Sequence, residues 1–305
     1  MGLRQAQPRK RPHPAERRPD RTTYTYNDAS ELTGKNGSTT GWSYDKLGNE
    51  TAAADNTPRT DESWTDYSQL SCITAGGKTY DLVHAGTSNY ERTKLGSTWF
   101  HHTALGLAST ATNGVDTGFI REPSGTLNSM TTGGKSYYYL TDATGNVLGL
   151  GLVDDTGKRT HTYAYGPTGL PRGTTTEAVP QPYRYAGAYA DPTGLYKMGH
   201  RYYDPTLGRF TQPDPSGQEK NAYLYADGDP VNRTDPTGLW DWGKFTSKTL
   251  GTGVAGGAGG CAEGALGSIW TGPGALAGCG VGAATGAVGG LVTGAVDYTW
   301  SEIFG

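Results

Sequence analysis

A chain of 305 residues is long enough to hold one large or two modest domains around a buried core. Its formal net charge of -3 argues against a general nucleic-acid binder, because the neutralisation of phosphates requires a net basic surface. With 48 Gly and 20 Tyr but only 3 Met and 5 Phe, the composition disfavours helices and predicts a mainly β body of many short strands.

The first 21 residues are rich in Arg and Pro and lack the apolar segment of a signal peptide. We interpret residues 1–21 as a disordered basic arm; a vector-like or misread coding sequence is the open alternative. A secreted or cell-surface location is expected, and export would then require a dedicated machine or a fused upstream partner.

A loose repeat recurs after this arm and predicts β-hairpins. Its copies place aromatic residues at period two and follow them with Asp-x-x-Gly-Asn; they are TYTYND, GWSYDKLGNE and SYYYLTDATGNV. Period two puts both rings on one face of a strand, and Asp-x-x-Gly favours a type I turn. We predict degenerate repeat strands over 22–136, although 50–135 holds few such Tyr pairs. So short a repeat run leaves open edges, which favours association with another chain.

The segment 137–239 carries a denser set of motifs. In chain order these are Y-R-Y-x-G, DPTGLY, RYYDPTLGRF, the following PDP, N-A-Y-x-Y and a final DPTGL. Together they closely resemble the Rhs/YD-repeat family, and in particular its Rhs-associated core, with a looser resemblance over 22–136. The resemblance implies a partial, teneurin-like YD-repeat β-shell built of hairpins, which encloses a variable C-terminal polypeptide that is often a toxin.

The resemblance also implies a single-turnover aspartyl autoprotease. Asp214 and Asp235 would form the carboxylate pair, Arg209 would orient or ionise one of them, and the cleaved bond would be Leu239–Trp240. Two carboxylates that share a site differ in protonation, so that one acts as an acid and the other as a base.

A purely structural role for these residues stays open. Asp-Pro-x-Gly is a good turn sequence in its own right, and DPTGL occurs twice, at 191–195 and 235–239. The six His show no ligand-like spacing, and there is no zinc signature, nucleotide loop or Ser-His-Asp motif. No cofactor and no metal are expected.

The segment 240–305 differs in composition from the rest of the chain. Six glycines recur there at four-residue spacing: Gly274, Gly278, Gly282, Gly286, Gly290 and Gly294. On a helix this spacing forms a groove for close helix packing, and 274–296 is free of charges over a length that can cross a bilayer. We predict a Gly/Ala-rich helical hairpin, a variable glycine-zipper tip that acts on membranes; low-complexity filler is the alternative.

Three functions therefore compete. The first is a self-processing Rhs core that releases a toxin-like tip, with a target-cell membrane, an immunity protein or an upstream shell chain as partners and no nucleic acid. The second is a non-enzymatic surface or adhesion scaffold of the YD-repeat type. The third is an orphan fragment without a function of its own.

Overall fold

The repeats fold into antiparallel hairpins. The structure, a computed structural model, describes residues 21–54, 58–123, 125–153, 158–217 and 219–239. The described strands are β1 (Tyr24–Tyr26), β2 (Leu32–Lys35), β3 (Ser43–Tyr44), β4 (Glu50–Ala52), β5 (Arg59–Trp64), β6 (Leu70–Ala75), β7 (Lys78–His84), β8 (Arg92–Leu95), β9 (Thr98–Thr103), β10 (Gly106–Thr112), β11 (Val115–Arg121), β12 (Leu127–Thr132), β13 (Lys135–Thr141), β14 (Val147–Leu152), β15 (Arg159–Thr162), β16 (Tyr189–Ala190), β17 (Tyr196–Met198), β18 (Arg201–Asp204) and β19 (Arg209–Phe210). Two short 3-10 turns, Tyr185–Gly187 and Ala226–Gly228, accompany them.

The largest sheet has eleven strands, β5 to β15, and each strand pairs with the next one along the chain. Tight turns make this order possible: Asn113 and Gly114 between β10 and β11 have φ of 51° and 80°, the left-handed pair that a two-residue hairpin turn requires. Strand β13 includes residues 136 and 137, so the sheet spans the boundary that we predicted there between the repeat strands and the core. A four-stranded sheet follows, β16 to β19, and β1–β2 and β3–β4 are separate hairpins.

Tyrosines at period two build the core. Tyr137 and Tyr139 are buried on the inner face of β13, whereas Tyr138 between them is 50% exposed on the outer face. Tyr183 packs its ring edge-on against Tyr139 at 6.2 Å and against Tyr189 at 5.8 Å. Aromatic pairs of this geometry stabilise beyond the area that they bury. The inner face of the long sheet thus closes over the segment that leads into the four-stranded sheet.

A second cluster of rings lies between the four-stranded sheet and the loop that follows it. Tyr203 is at its centre, with ring centroids 4.5 Å from Tyr225 and 5.8 Å from Phe210. The mainly β fold predicted from the sequence is confirmed. Both the basic arm at 1–20 and the helical hairpin at 240–305 lie outside the described residues. Over the described ranges, the chain contains no helix with the length and apolar character needed to cross a membrane.

Candidate functional site

The aspartate of the Asp-x-x-Gly-Asn repeat serves as a turn cap. In the turn after β13, Asp142 Oδ1 accepts hydrogen bonds from the backbone N–H of Thr144 at 3.0 Å and of Asn146 at 2.9 Å. Its other oxygen, Oδ2, accepts from Asn146 Nδ2 at 2.8 Å. Asp45 and Asn49 repeat the same bonds before β4. The Asn side chain thus donates a hydrogen bond to the carboxylate oxygen that the backbone of the turn does not use.

Three Asp-Pro-Thr turns lack this Asn, and a buried arginine contacts the carboxylate instead. The pairs are Arg92–Asp191 at 2.6 Å, Arg59–Asp204 at 2.7 Å and Arg201–Asp235 at 3.1 Å. All six side chains are at most 3% exposed. Breaking one such pair by removing the arginine would leave a buried, unpaired carboxylate, which is strongly destabilising. Each pair therefore fixes a turn near the C-terminal end of the described chain to another strand.

Asp235 holds the last described turn. Its Oδ1 accepts from the backbone N–H of Gly238 at 2.8 Å and of Leu239 at 3.2 Å, and from Thr237 Oγ1 at 3.2 Å. Its Oδ2 faces the guanidinium of Arg201. Every one of these contacts uses the carboxylate as an acceptor, so Asp235 orients the backbone up to the residue that precedes the predicted cleavage position.

Arg201 is the central cation of the site. Its Nε–H donates to the carbonyl of Gly238, and Nη1 donates to the carbonyl of Ala222 at 3.1 Å. Burial lowers the pKa of Arg201 from its usual value, and the negative charges of Asp235 and Asp214 oppose that shift. Both predicted carboxylates thus act on one buried guanidinium. Sequence reasoning did not identify Arg201, which begins β18, a strand whose four residues are all buried in the structure.

Asp214 occupies the other predicted position. It is 8% exposed, and its Oδ1 accepts from the backbone N–H and the hydroxyl of Ser216 at 3.0 and 2.8 Å. Its Oδ2 accepts from the backbone N–H of Glu219 at 3.3 Å, and its own N–H donates to Ala222 O at 2.7 Å. Ala222 therefore links the two sides of the site, because its carbonyl also accepts from Arg201.

The turn between β17 and β18 packs closely against the last described turn, the one that begins at Asp235. His200 N–H donates to Thr237 O at 2.8 Å. A Cβ on Gly199 would lie 2.1 Å from Thr237 O, and one on Gly238 would lie 2.6 Å from Met198 O. Only glycine permits so close a backbone approach. Burial and the positive charge of Lys197 lower the pKa of His200 to about 4, so this imidazole is neutral at pH 7.

Arg209, the predicted partner of the carboxylates, contacts a different part of the chain. Its Nη2 donates to Ser30 O at 2.7 Å, and its guanidinium lies 4.5 Å from the centre of the Tyr223 ring. It thereby fixes the first hairpin to β19. Trp240 and the six glycines predicted to pack in a helix lie outside the described residues.

A second acidic group surrounds Arg59. Besides Asp204, this guanidinium contacts Glu50 Oε1 at 2.6 Å and Glu62 Oε1 at 3.3 Å. Burial, followed by the charge of Glu50, raises the pKa of Glu62 well above its usual range. Burial also raises the pKa of Glu50, against the opposing charge of Arg59. One cation therefore faces three carboxyl groups, and burial raises the pKa of two of them, Glu50 and Glu62.

Comparisons with known proteins give several similar relatives. The chain is 32% identical over 219 residues to the tRNA3(Ser)-specific nuclease WapA of Bacillus spizizenii, an alignment that covers 66% of this chain and 9% of the relative. It is 48% identical over 71 residues to Double-stranded DNA deaminase toxin A of Burkholderia cenocepacia, which covers 22% of this chain and 5% of the relative. It is 38% identical over 85 residues to Toxin subunit YenC2 of Yersinia entomophaga, with 26% and 9% covered.

The chain spans less than a tenth of the length of these three relatives. No protein-family model matches it. The relatives nevertheless support a protein of the Rhs/YD-repeat type, in agreement with the resemblance given by the motifs.

Proposed function

We propose that the chain is part of an Rhs-type toxin, in which the core over 137–239 cleaves itself after Leu239 and releases 240–305 as a membrane-active tip. One observation carries the proposal: Arg201 contacts both the carboxylate of Asp235 and the carbonyl of Gly238, and it shares the carbonyl of Ala222 with the backbone N–H of Asp214. Two carboxylates therefore act on one buried cation beside the proposed bond.

The chemistry follows from this arrangement. Asp235 accepts from the N–H of Leu239, and Arg201 donates to the carbonyl of Gly238, so both position the peptide that directly precedes the proposed bond. One carboxylate of the Asp214–Asp235 pair takes a proton from water, whose oxygen attacks the carbonyl carbon of Leu239. The other carboxyl group donates its proton to the departing nitrogen of Trp240, and the C–N bond breaks. The two roles require that one carboxyl group be ionised and the other protonated, as in known carboxylate pairs.

The test is the fate of the full chain on expression. We expect the wild type to yield a fragment that ends at Leu239, and Asp214→Asn and Asp235→Asn to stay intact. Asp116→Asn is the control, since it removes an exposed carboxylate on β11 and should leave cleavage after Leu239 unchanged. An intact wild type, or cleavage of Asp214→Asn at the wild-type rate, would refute the proposal.

The released segment is proposed to act on a membrane. The names of two relatives include the word toxin, and the glycine spacing over 274–294 suits close helix packing in lipid. A peptide covering 240–305 should release dye from liposomes, and Gly282→Ile with Gly286→Ile should abolish the release. A lack of leakage at every lipid composition would reject this part. Secretion, an immunity protein and an upstream shell chain belong to the same proposal.

A specific observation favours a second candidate, a non-enzymatic YD-repeat scaffold. Asp235 and Asp191 occupy identical pentapeptides and both pair with a buried arginine, which is what purely structural turns would show. A scaffold should bind glycans or cell surfaces equally well after deletion of 240–305. Loss of that binding on deletion would reject the scaffold.

A further inference from the structure

A cavity of about 460 Å³ lies between the long sheet and the four-stranded sheet and has no role in the proposed cleavage. Strands β8 to β13 of the long sheet form one wall, and the segment around Tyr183 and Tyr189 forms another. Pockets of this volume hold small organic molecules in other proteins. The chemistry of the lining therefore indicates which class of molecule this cavity fits.

Aromatic rings form a row along the cavity. Tyr183 packs edge-on against Tyr189, with ring centroids 5.8 Å apart, and Tyr189 packs edge-on against Phe100 at 5.3 Å. All three rings line the cavity. Aromatic rings favour further rings in edge-to-face or offset contact beyond the apolar area that such contacts bury. This wall therefore favours a ligand that itself contains an aromatic ring.

The charged side chains at the cavity are basic. Among the described residues that line it, Arg92, Arg121 and Lys197 are the cationic groups and none is acidic. Arg92 is neutralised by its bidentate pair with Asp191. Burial, followed by the charge of Arg92, lowers the pKa of Lys197 well below its usual range, so this amine carries less charge than an exposed lysine. Arg121 is therefore the cation that an anionic ligand would meet.

Neutral groups hold Arg121 in place. Its Nη1 donates to Gly125 O and its Nη2 to the Tyr183 hydroxyl, at 2.8 Å each, and the guanidinium lies 5.1 Å from the centre of the Tyr183 ring. Its Nε–H has no acceptor among the described residues, and the neighbouring Glu122 accepts from Asn128 Nδ2 instead. A guanidinium presents five N–H groups in a planar fork that matches a carboxylate. Arg121 is thus oriented in advance for an anion that the described chain does not supply.

We propose that this cavity is a binding site for a small aromatic carboxylate, whose carboxylate pairs with Arg121 and whose ring packs against Tyr183 and Tyr189. One molecule reaches both parts of the site because Arg121 lies over the Tyr183 ring. The ring row orients the ligand, and the guanidinium selects its charge. The site requires neither the cleavage nor the segment that follows Leu239, so it is independent of the proposed function.

The test is photolabelling of the full chain by para-benzoylbenzoate, an aromatic carboxylate whose ketone bonds to nearby C–H groups on irradiation. We expect label on peptides that carry lining residues such as Leu105, Leu107 and Thr126. The neutral amide, para-benzoylbenzamide, should label them about tenfold less, because it lacks the charge-assisted hydrogen bond to Arg121. Excess naphthoate should compete with the label, and naphthamide should not.

Variants of the full chain locate the charge that selects the ligand. Arg121→Gln should reduce the labelling by para-benzoylbenzoate about tenfold, and Gln in place of the exposed Arg172 should leave it unchanged. The comparison of acid and amide on the wild type needs no variant, so it decides the matter even if Arg121→Gln does not fold.

Three outcomes would overturn the inference: equal labelling by the acid and the amide, label confined to peptides outside the cavity, and no label at all. Cleavage after Leu239 is read from fragment sizes before irradiation. A failure of the proposed cleavage is therefore distinguished from a failure of ligand binding.

Discussion

Replacing Glu62 by Gln tests the buried acidic group around Arg59. The structure gives one guanidinium three carboxyl groups: Glu50, Glu62 and Asp204. Gln has nearly the same shape as a protonated Glu, and its carbonyl can accept from Arg59 in place of Glu62 Oε1. The substitution therefore removes one ionisable group and leaves the packing unchanged.

The pH dependence has a definite sign. Because the pKa of Glu62 is raised in the folded chain from a usual value of 4.5, the folded state keeps a proton that the unfolded state releases above that pH. Folding stability therefore falls as pH rises from 4.5 toward the pKa of folded Glu62, by about 1.4 kcal/mol per pH unit. Below 4.5 both states carry the proton, and the wild type and Glu62→Gln should have the same stability.

Urea unfolding of both proteins in steps from pH 4 to pH 8 measures the effect. The difference in free energy of unfolding should be near zero at pH 4 and grow in favour of Glu62→Gln above it, with the urea dependence unchanged. His200, whose pKa is lowered to about 4, contributes the opposite slope below pH 6.5, but it is present in both proteins and cancels. The exposed Glu122→Gln is the control. A difference that stays flat with pH, or favours the wild type as pH rises, would refute the raised pKa of Glu62 in the folded chain.

Two further predictions concern the contacts that fix the Asp-Pro-Thr turns. Arg92→Ala leaves Asp191 buried without its bidentate partner and should lower the free energy of unfolding by about 3–5 kcal/mol, whereas exposed Arg172→Ala should not; equal midpoints in urea would contradict this. Gly199→Ala brings a Cβ to 2.1 Å from the backbone of the last turn and should destabilise the chain by more than Gly173→Ala, which meets no atom within 4 Å. Since Gly199 and Gly173 have φ of 48° and 73°, left-handed strain of about 1–2 kcal/mol is common to both, and equal losses would reject the close approach.

Local structure was predictable from the sequence because its causes are local. Alternating tyrosines gave the inner face of β13, and Asp-x-x-Gly-Asn gave capped turns at Asp45 and Asp142. The stretch 50–135 was harder to read because its strands use Thr and Ser where later ones use Tyr. Strand β10, GLASTAT, is an example: its buried positions are Leu107 and Thr110.

The ion pairs were not predictable, because they depend on how distant strands align. Arg92 and Asp191 are 99 residues apart, and no local pattern selects one arginine for one aspartate. Arg209 was chosen for its position in a motif close to Asp214, but its side chain lies against the first hairpin. Arg201, 34 residues before Asp235, reaches that carboxylate because the hairpin after β17 crosses the last turn.

The two DPTGL copies differ in how their arginines are used, and this difference bears on which of them is a reactive site. At Asp191, the two terminal nitrogens of Arg92 each donate to one carboxylate oxygen, at 2.6 and 2.7 Å. At Asp235, Arg201 places one nitrogen on the carboxylate and others on the backbone carbonyls of Gly238 and Ala222. The bidentate pair leaves neither terminal nitrogen of Arg92 for the backbone of the turn. The cation at Asp235 also holds the peptide between Gly238 and Leu239, which directly precedes the proposed cut, and so helps to position Leu239.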